Sequence, residues 1–331
     1  MLASRLSNSR AVVLCALLSQ LLTMACATVR REARRTADEP PLEREVQDRE
    51  LLEHPKCDPR WGMTFPGVGA LCRGDQDEGV GLIAFGGAQL ASGLAVGFST
   101  SFSNPGATVP ILGFFDLYTA TALDGTLRIQ RARRMPYVPQ QTVSELISAP
   151  FNVDVLKSPW VWGGILGTVG VGVLYGRLTD GPYDTKNLGT RPVLFGKTVN
   201  SAVGYPVATA MGVGLFTQVG LAEEMAFRGL VQSGLTRKLG ETEGWLLGSL
   251  IFGAFHATNI IFLDPQDRVD YLVKGVPFIT VLGSYLGYVY MQQGYNLEGS
   301  TAIHAWYDFF ISAVSFVLNP KNSPLAFSMA F

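Results

Sequence analysis

The sequence predicts an all-α membrane protein, a polytopic helical bundle of about 6–8 transmembrane helices preceded by a signal or anchor segment. Three observations lead there. Hydrophobic residues make up 47% of the 331 and fall in long blocks, with 37 Gly and a mean hydropathy of +0.22. Charge is gathered near one end: residues 28–79 hold 9 Lys/Arg and 12 Asp/Glu, which leaves the rest of the chain charge-poor. Seven apolar runs then succeed one another, most of them long enough to cross a bilayer at about 1.5 Å per helical residue. A net charge of −1 without an overall basic bias argues against nucleic acid and leaves the lipid bilayer as the first partner.

Taken in order, residues 1–27 carry Arg5 and Arg10, an apolar stretch and Ala25-Cys26-Ala27, the three parts of a bacterial signal peptide or, uncleaved, of a signal anchor. Cys26 after a small residue also resembles a lipidation box. This start predicts a multi-pass protein of the bacterial inner (plasma) membrane. Residues 28–79 read as a charged extramembrane tail that stays in water and is exported, with a small ordered cap from Cys57 onward. Cys57 and Cys72 either form a disulfide, contributing about 3 kcal/mol in an oxidising compartment, or remain two thiols. His54 near Cys57 is too little for a metal site.

Residues 80–158 form an N-terminal membrane region and a basic linker. Its first run is 80–101. The second, 108–123, is short and contains Asp116, so a re-entrant or interfacial segment is expected. The linker, 124–158, carries Arg128, Arg131, Arg133 and Arg134, which reads as the cytoplasmic side or as contact with anionic lipid. An exported tail and a cytoplasmic cluster require an odd number of crossings between them. That is a second reason to expect 108–123 not to span. The Lys/Arg of the remaining loops balance across the membrane and do not set the orientation. Runs 159–178, 199–222, 245–263, 275–292 and 299–319 fill a second membrane domain, 159–320.

Chemistry enters at residues 221–229, L-A-E-E-M-A-F-R-G, where two carboxylates come directly after an uncharged run. A carboxylate at membrane depth costs roughly 2.5 to 3.5 kcal/mol, so it calls for a protein interior or a watery cavity. On a helix Glu224 and Arg228 stand four apart and can pair, while Glu223 lies about 100° away and is left free as a candidate general base. A structural ion cluster at a helix end is the competing reading. His256 and His304 both lie inside apolar runs, with Asn259 and Asp308 on their respective helix faces. With Glu223 ending the fourth run, these groups can meet at one depth and suit hydrolysis by activated water.

In that order E-E-x-x-x-R (Glu223, Glu224, Arg228), F-x-x-x-H (Phe252, His256) and H-x-x-x-N/D (His304, Asp308) resemble the three motifs of the CAAX-protease and bacteriocin-processing family of intramembrane endopeptidases. The resemblance covers about residues 199–319. It implies peptide-bond hydrolysis in a membrane protein or peptide substrate, with Glu223 as the base holding water with His256. His304 and the residue at 308 would bind the oxyanion, and Glu224 and Arg228 would be the structural pair. Many members have Asn where this chain has Asp308, which donates no hydrogen bond unless protonated. Either Asp308 is neutral, or it orients His304, or Asn259 supplies the donor. The family has been described both as metalloproteases and as glutamic proteases. Without H-E-x-x-H no cofactor is favoured here, and zinc on His256, His304, Asp308 and Glu223 is the alternative. Prenylated CAAX substrates do not suit a bacterial host, and the chain's own end, S-M-A-F, has no CAAX cysteine. A non-catalytic scaffold or immunity-type relative is the second function class; a transporter, the third, predicts repeated halves that the sequence does not display.

Overall fold

A computed structural model of the protein describes residues 42–53, 59–102, 104–179, 181, 183–194 and 197–320. The signal or anchor segment with Cys26, and the His54 and Cys57 positions, lie outside the described residues. Helix α1 spans Glu43–Glu53, α2 Gln76–Ser99, α3 Pro105–Ala132 and α4 Pro159–Thr179. A two-stranded antiparallel hairpin, Val193–Leu194 with Lys197–Thr198, leads into α5, Ser201–Glu224. A π-helical segment, Met225–Gln232, joins α5 to α6, Ser233–Leu239. Then come α7, Glu241–His256, which runs into a 3-10 turn, and α8, Val276–Gln292, and α9, Leu297–Leu318.

Seven of these stretches are long and apolar enough to cross a membrane, as the runs predict. Three start on an asparagine whose side chain accepts from a backbone N–H in the first turn: Asn104 before α3, Asn200 before α5 and Asn296 before α9. These caps satisfy donors that a helix end otherwise leaves orphaned. The turn before α9 uses Gly294 and Tyr295, both at positive φ. Tyr295 tolerates that conformation because its ring packs on Tyr137 and Tyr290, 4.7 and 5.2 Å between centroids.

Helix boundaries differ from the sequence reading wherever charge pairs with charge. The second run is no short re-entrant piece but part of a 28-residue helix, because Asp124, Arg128 and Arg131 continue α3 and neutralise one another. Beyond the fourth run, which ends at 222, the chain stays helical through Leu239, with Arg228 ion-paired to Glu224 one turn back. Part of the 264–274 loop is likewise helical, with Lys274 on Asp270 one turn back.

The charged tail is not all in water. Helix α1 lies on the end of α3, and its Asp48 is 2% exposed. Arg131, fully buried, donates from Nε to Asp48 at 2.6 Å, from Nη2 to Asp124 at 3.3 Å and from Nη1 to the Pro139 carbonyl at 3.0 Å. Arg128 bridges the same carboxylates, 2.5 Å to Asp124 and 3.2 Å to Asp48. Arg128 and Arg131 therefore do not face lipid. Their contact also overturns the opposed placement of tail and cluster, since α1 and the end of α3 touch and sit on one side, an even number of crossings apart. Cys72 is disulfide-bonded.

Two outcomes test this docking. Asp48→Ala takes from buried Arg128 and Arg131 one of the two carboxylates they share and should cost about 3–5 kcal/mol; an unchanged melting temperature in detergent refutes the pairing's weight. At the rim, Arg44 donates to both oxygens of Glu145, 2.7 and 3.0 Å, and to the Gln140 carbonyl. The hydrogen bond from Arg44 holds the Glu145 carboxyl below its usual range of 4.5. A carboxyl lowered in the folded state contributes stability above that value and loses it as pH falls through the folded one. Amide exchange in α1 should thus separate wild type from Glu145→Gln at neutral pH, and the difference should close as pH drops below 4.5.

Candidate active site

A glycine sets the approach of the two helices that carry most of the site. A Cβ at Gly220 of α5 would lie 3.2 Å from the Ala305 nitrogen and 3.3 Å from the Thr301 oxygen of α9. That closeness brings His304 over Glu224, whose carboxylate is fully buried. His304 Nδ1 lies 2.8 Å from Glu224 Oε1, and Arg228 Nε 3.2 Å from Glu224 Oε2. The carboxylate accepts, so Nδ1 carries the hydrogen and Nε2 is the ring atom left to face outward. Arg228 also donates from Nη2 to the Gly283 carbonyl at 2.8 Å and stacks its guanidinium 4.2 Å above the Phe252 ring. Phe252 packs tightly on Gly283, where a side chain would collide with the ring.

Around that buried pair the sequence-chosen residues converge. Glu223 Oε2 stands 3.6 Å from His256 Nε2 and 3.8 Å from His304 Nε2. Asp308 Oδ2 is 3.4 Å from the same His304 nitrogen. His256 Nδ1 lies 2.9 Å from the Phe252 carbonyl, which can only accept, so Nδ1 donates and Nε2 is turned to Glu223. The Glu223 side chain is 23% exposed and its buried Oε2 takes no protein hydrogen bond, whereas Glu224 is fully buried, with Oε1 accepting from His304 and Oε2 ion-paired with Arg228. The two neighbouring glutamates thus differ as their helix faces predict.

Asn259 does not join this group by any hydrogen bond among the described residues. Its Nδ2 donates instead to Tyr271 Oη at 3.1 Å. Zinc would need His256, His304, Asp308 and Glu223 to turn lone pairs to one point. His304 gives Nδ1 to Glu224 and holds Nε2 beside Asp308, and no group of three or more His, Cys, Asp or Glu among the described residues is arranged to hold a metal ion.

Residues 205–310 match the family of Rce1-like proteins, described as type II CAAX prenyl endopeptidase Rce1-like. This segment is similar to the Rce1-like family. All three motifs, from Glu223 to Asp308, lie within it, while α1 to α4 lie outside. No curated protein and no solved structure matches the chain.

Sequence reasoning missed several parts of the Rce1-like site. The bond between Glu224 and His304 joins residues 80 apart and depends on the close approach at Gly220. Phe252, read only as a motif letter, also touches both histidine rings, 4.5 Å from His256 and 6.1 Å from His304 between centroids. Asp116 of α3, noted only as weakening its run, comes within electrostatic reach of Glu223. The signal for it was there, because an acid inside an apolar run needs a polar neighbour.

Replacing Glu224 by Gln should unseat Arg228 and His304 together and cost about 3–5 kcal/mol, as for a broken buried pair. Phe252→Leu keeps the apolar volume but removes the ring under Arg228, costing about 1–2 kcal/mol. Thermal unfolding in detergent that ranks Phe252→Leu below Glu224→Gln in stability would contradict this order.

Proposed function

We propose that the Rce1-like domain is an intramembrane endopeptidase in which Glu223 and His256 activate water against a peptide bond of a membrane protein or peptide. The observation carrying the reading is the meeting of Glu223 Oε2 with two imidazole Nε2 atoms at 3.6 and 3.8 Å, beside a second glutamate wholly engaged in structure. These separations are too long for direct hydrogen bonds and suit a water shared between the groups. Glu223 takes the proton as the water oxygen bonds to the carbonyl carbon. The carbonyl electrons move onto its oxygen, which His304, as an imidazolium set between Glu224 and Asp308 with a hydrogen on each ring nitrogen, stabilises from Nε2. Asp308, beside that nitrogen, aims the ring and so answers the question its carboxylate raises. As the carbon–nitrogen bond breaks, Glu223 returns its proton to the leaving amine.

No step here draws on a metal. The site lies within a multi-pass membrane protein, and the signal-like N-terminus points to a bacterial plasma membrane as its setting. The family's description names prenyl endopeptidases; for this chain an unprenylated membrane segment is the substrate class we favour.

Purified protein in nanodiscs, given an internally quenched transmembrane peptide and a prenylated C-A-A-X peptide, tests this. Glu223→Gln should lower cleavage at least about 100-fold while the melting temperature holds. Cleavage should survive exhaustive chelation. Activity lost with chelator and restored by stoichiometric zinc would replace this mechanism with a metal one, and cleavage of the prenylated peptide alone would reverse the substrate assignment.

A further inference from the structure

Helix α7 ends at His256, where the chain tightens into the 3-10 turn Ala257–Phe262. A helix end leaves carbonyls without partners, and at membrane depth no bulk water replaces them. The His256 carbonyl accepts from Tyr271 Oη at 3.1 Å. Tyr271 belongs to the π-helical segment Tyr271–Gly275 that precedes α8 and is 5% exposed. A phenol has one hydrogen to give and lone pairs to receive. Here it gives to His256 and receives from Asn259 Nδ2, 3.1 Å away on the same 3-10 turn. The phenol also lies within electrostatic reach of Glu223.

His256 is thereby held at two points. Its Nδ1 is anchored to the Phe252 carbonyl within α7, and its own carbonyl is anchored to the next membrane segment. Only with both fixed is Nε2 kept toward Glu223, since the first bond sets the ring and the second sets the backbone carrying it. We infer that Tyr271, seated by Asn259, is a positioning residue for His256. This rests on the assignment of His256 to water activation. Tyr271 touches no reacting atom, so its loss should act on the chemical step and leave substrate binding alone. It also gives Asn259 a role that the oxyanion reading does not.

Steady-state cleavage of the transmembrane peptide by Tyr271→Phe, Asn259→Ala and the double variant is the test, with Glu223→Gln alongside. Tyr271→Phe should lower kcat roughly 10- to 100-fold, the scale of a small misplacement of a reacting group. KM should stay within about twofold, and the acid limb of the kcat–pH profile should move. Asn259→Ala should shift the same readouts less, and the double variant should be no worse than Tyr271→Phe, because both act through one phenol. A Tyr271→Phe enzyme with wild-type kcat and pH limb, or one altered in KM alone, overturns the inference. If Tyr271→Phe does not accumulate, Asn259→Ala decides on the same readouts. An active Glu223→Gln would sink the underlying mechanism; an inactive one beside an unaffected Tyr271→Phe sinks only the positioning role.

Discussion

Glu224 is ion-paired with Arg228 through one oxygen and accepts from His304 through the other, and all three side chains are buried. A buried carboxylate is costly unless its lone pairs are filled by charged or polar donors. Here the donors come from the next turn of its own chain and from the last membrane helix. The same contact therefore fixes the π-helical segment after α5, the rotation of α9 and the orientation of the His304 ring. Arg228 extends the hold to α8 through the Gly283 carbonyl and to α7 through the Phe252 ring. Four membrane helices are thus tied, directly or through Arg228, to one side chain that does no chemistry in the proposed reaction.

That division of labour explains why adjacent glutamates can differ so much. Glu224 faces inward and is consumed by structure; Glu223, a step round the helix, keeps an oxygen free beside two imidazoles. π-Helical turns inside longer helices recur at functional sites because they change the face that later residues present. The bond from the Ser233 hydroxyl to the Arg228 carbonyl, with Tyr290 Oη 2.8 Å from that hydroxyl, ties the unusual turn to α8. Rigid support beneath the site and an opening above it are what water-splitting side chains require.

Much of this was legible in the sequence because it depends on local spacing. Apolar runs gave seven membrane-length helices, i,i+4 spacing foretold the Glu224–Arg228 pair, and the three motifs led to the Rce1-like segment. The features that stayed hidden depend on long-range partners. Asp48 and Arg131 are 83 residues apart, and a charge count treats both as solvated. Glu224 and His304 meet only because Gly220 lets two helices touch, and Tyr271 sits in a stretch whose charged flanks read as loop. Asn259 was visible as a polar residue near His256, but its partner was not.

The arginine cluster at the end of α3 carries a lesson for biogenesis. Asp48 leaves the ribosome well before Arg128 and Arg131, and pairs with them only after both intervening helices have been made. Until then Asp124 is the one carboxylate of the α2–α3 hairpin paired with Arg128 and Arg131 among the described residues, and the end of α3 keeps an excess of positive charge. Helix α1 thus supplies a counter-ion in cis, and the end of α3 reaches its paired form only when a segment made before it has docked back onto it.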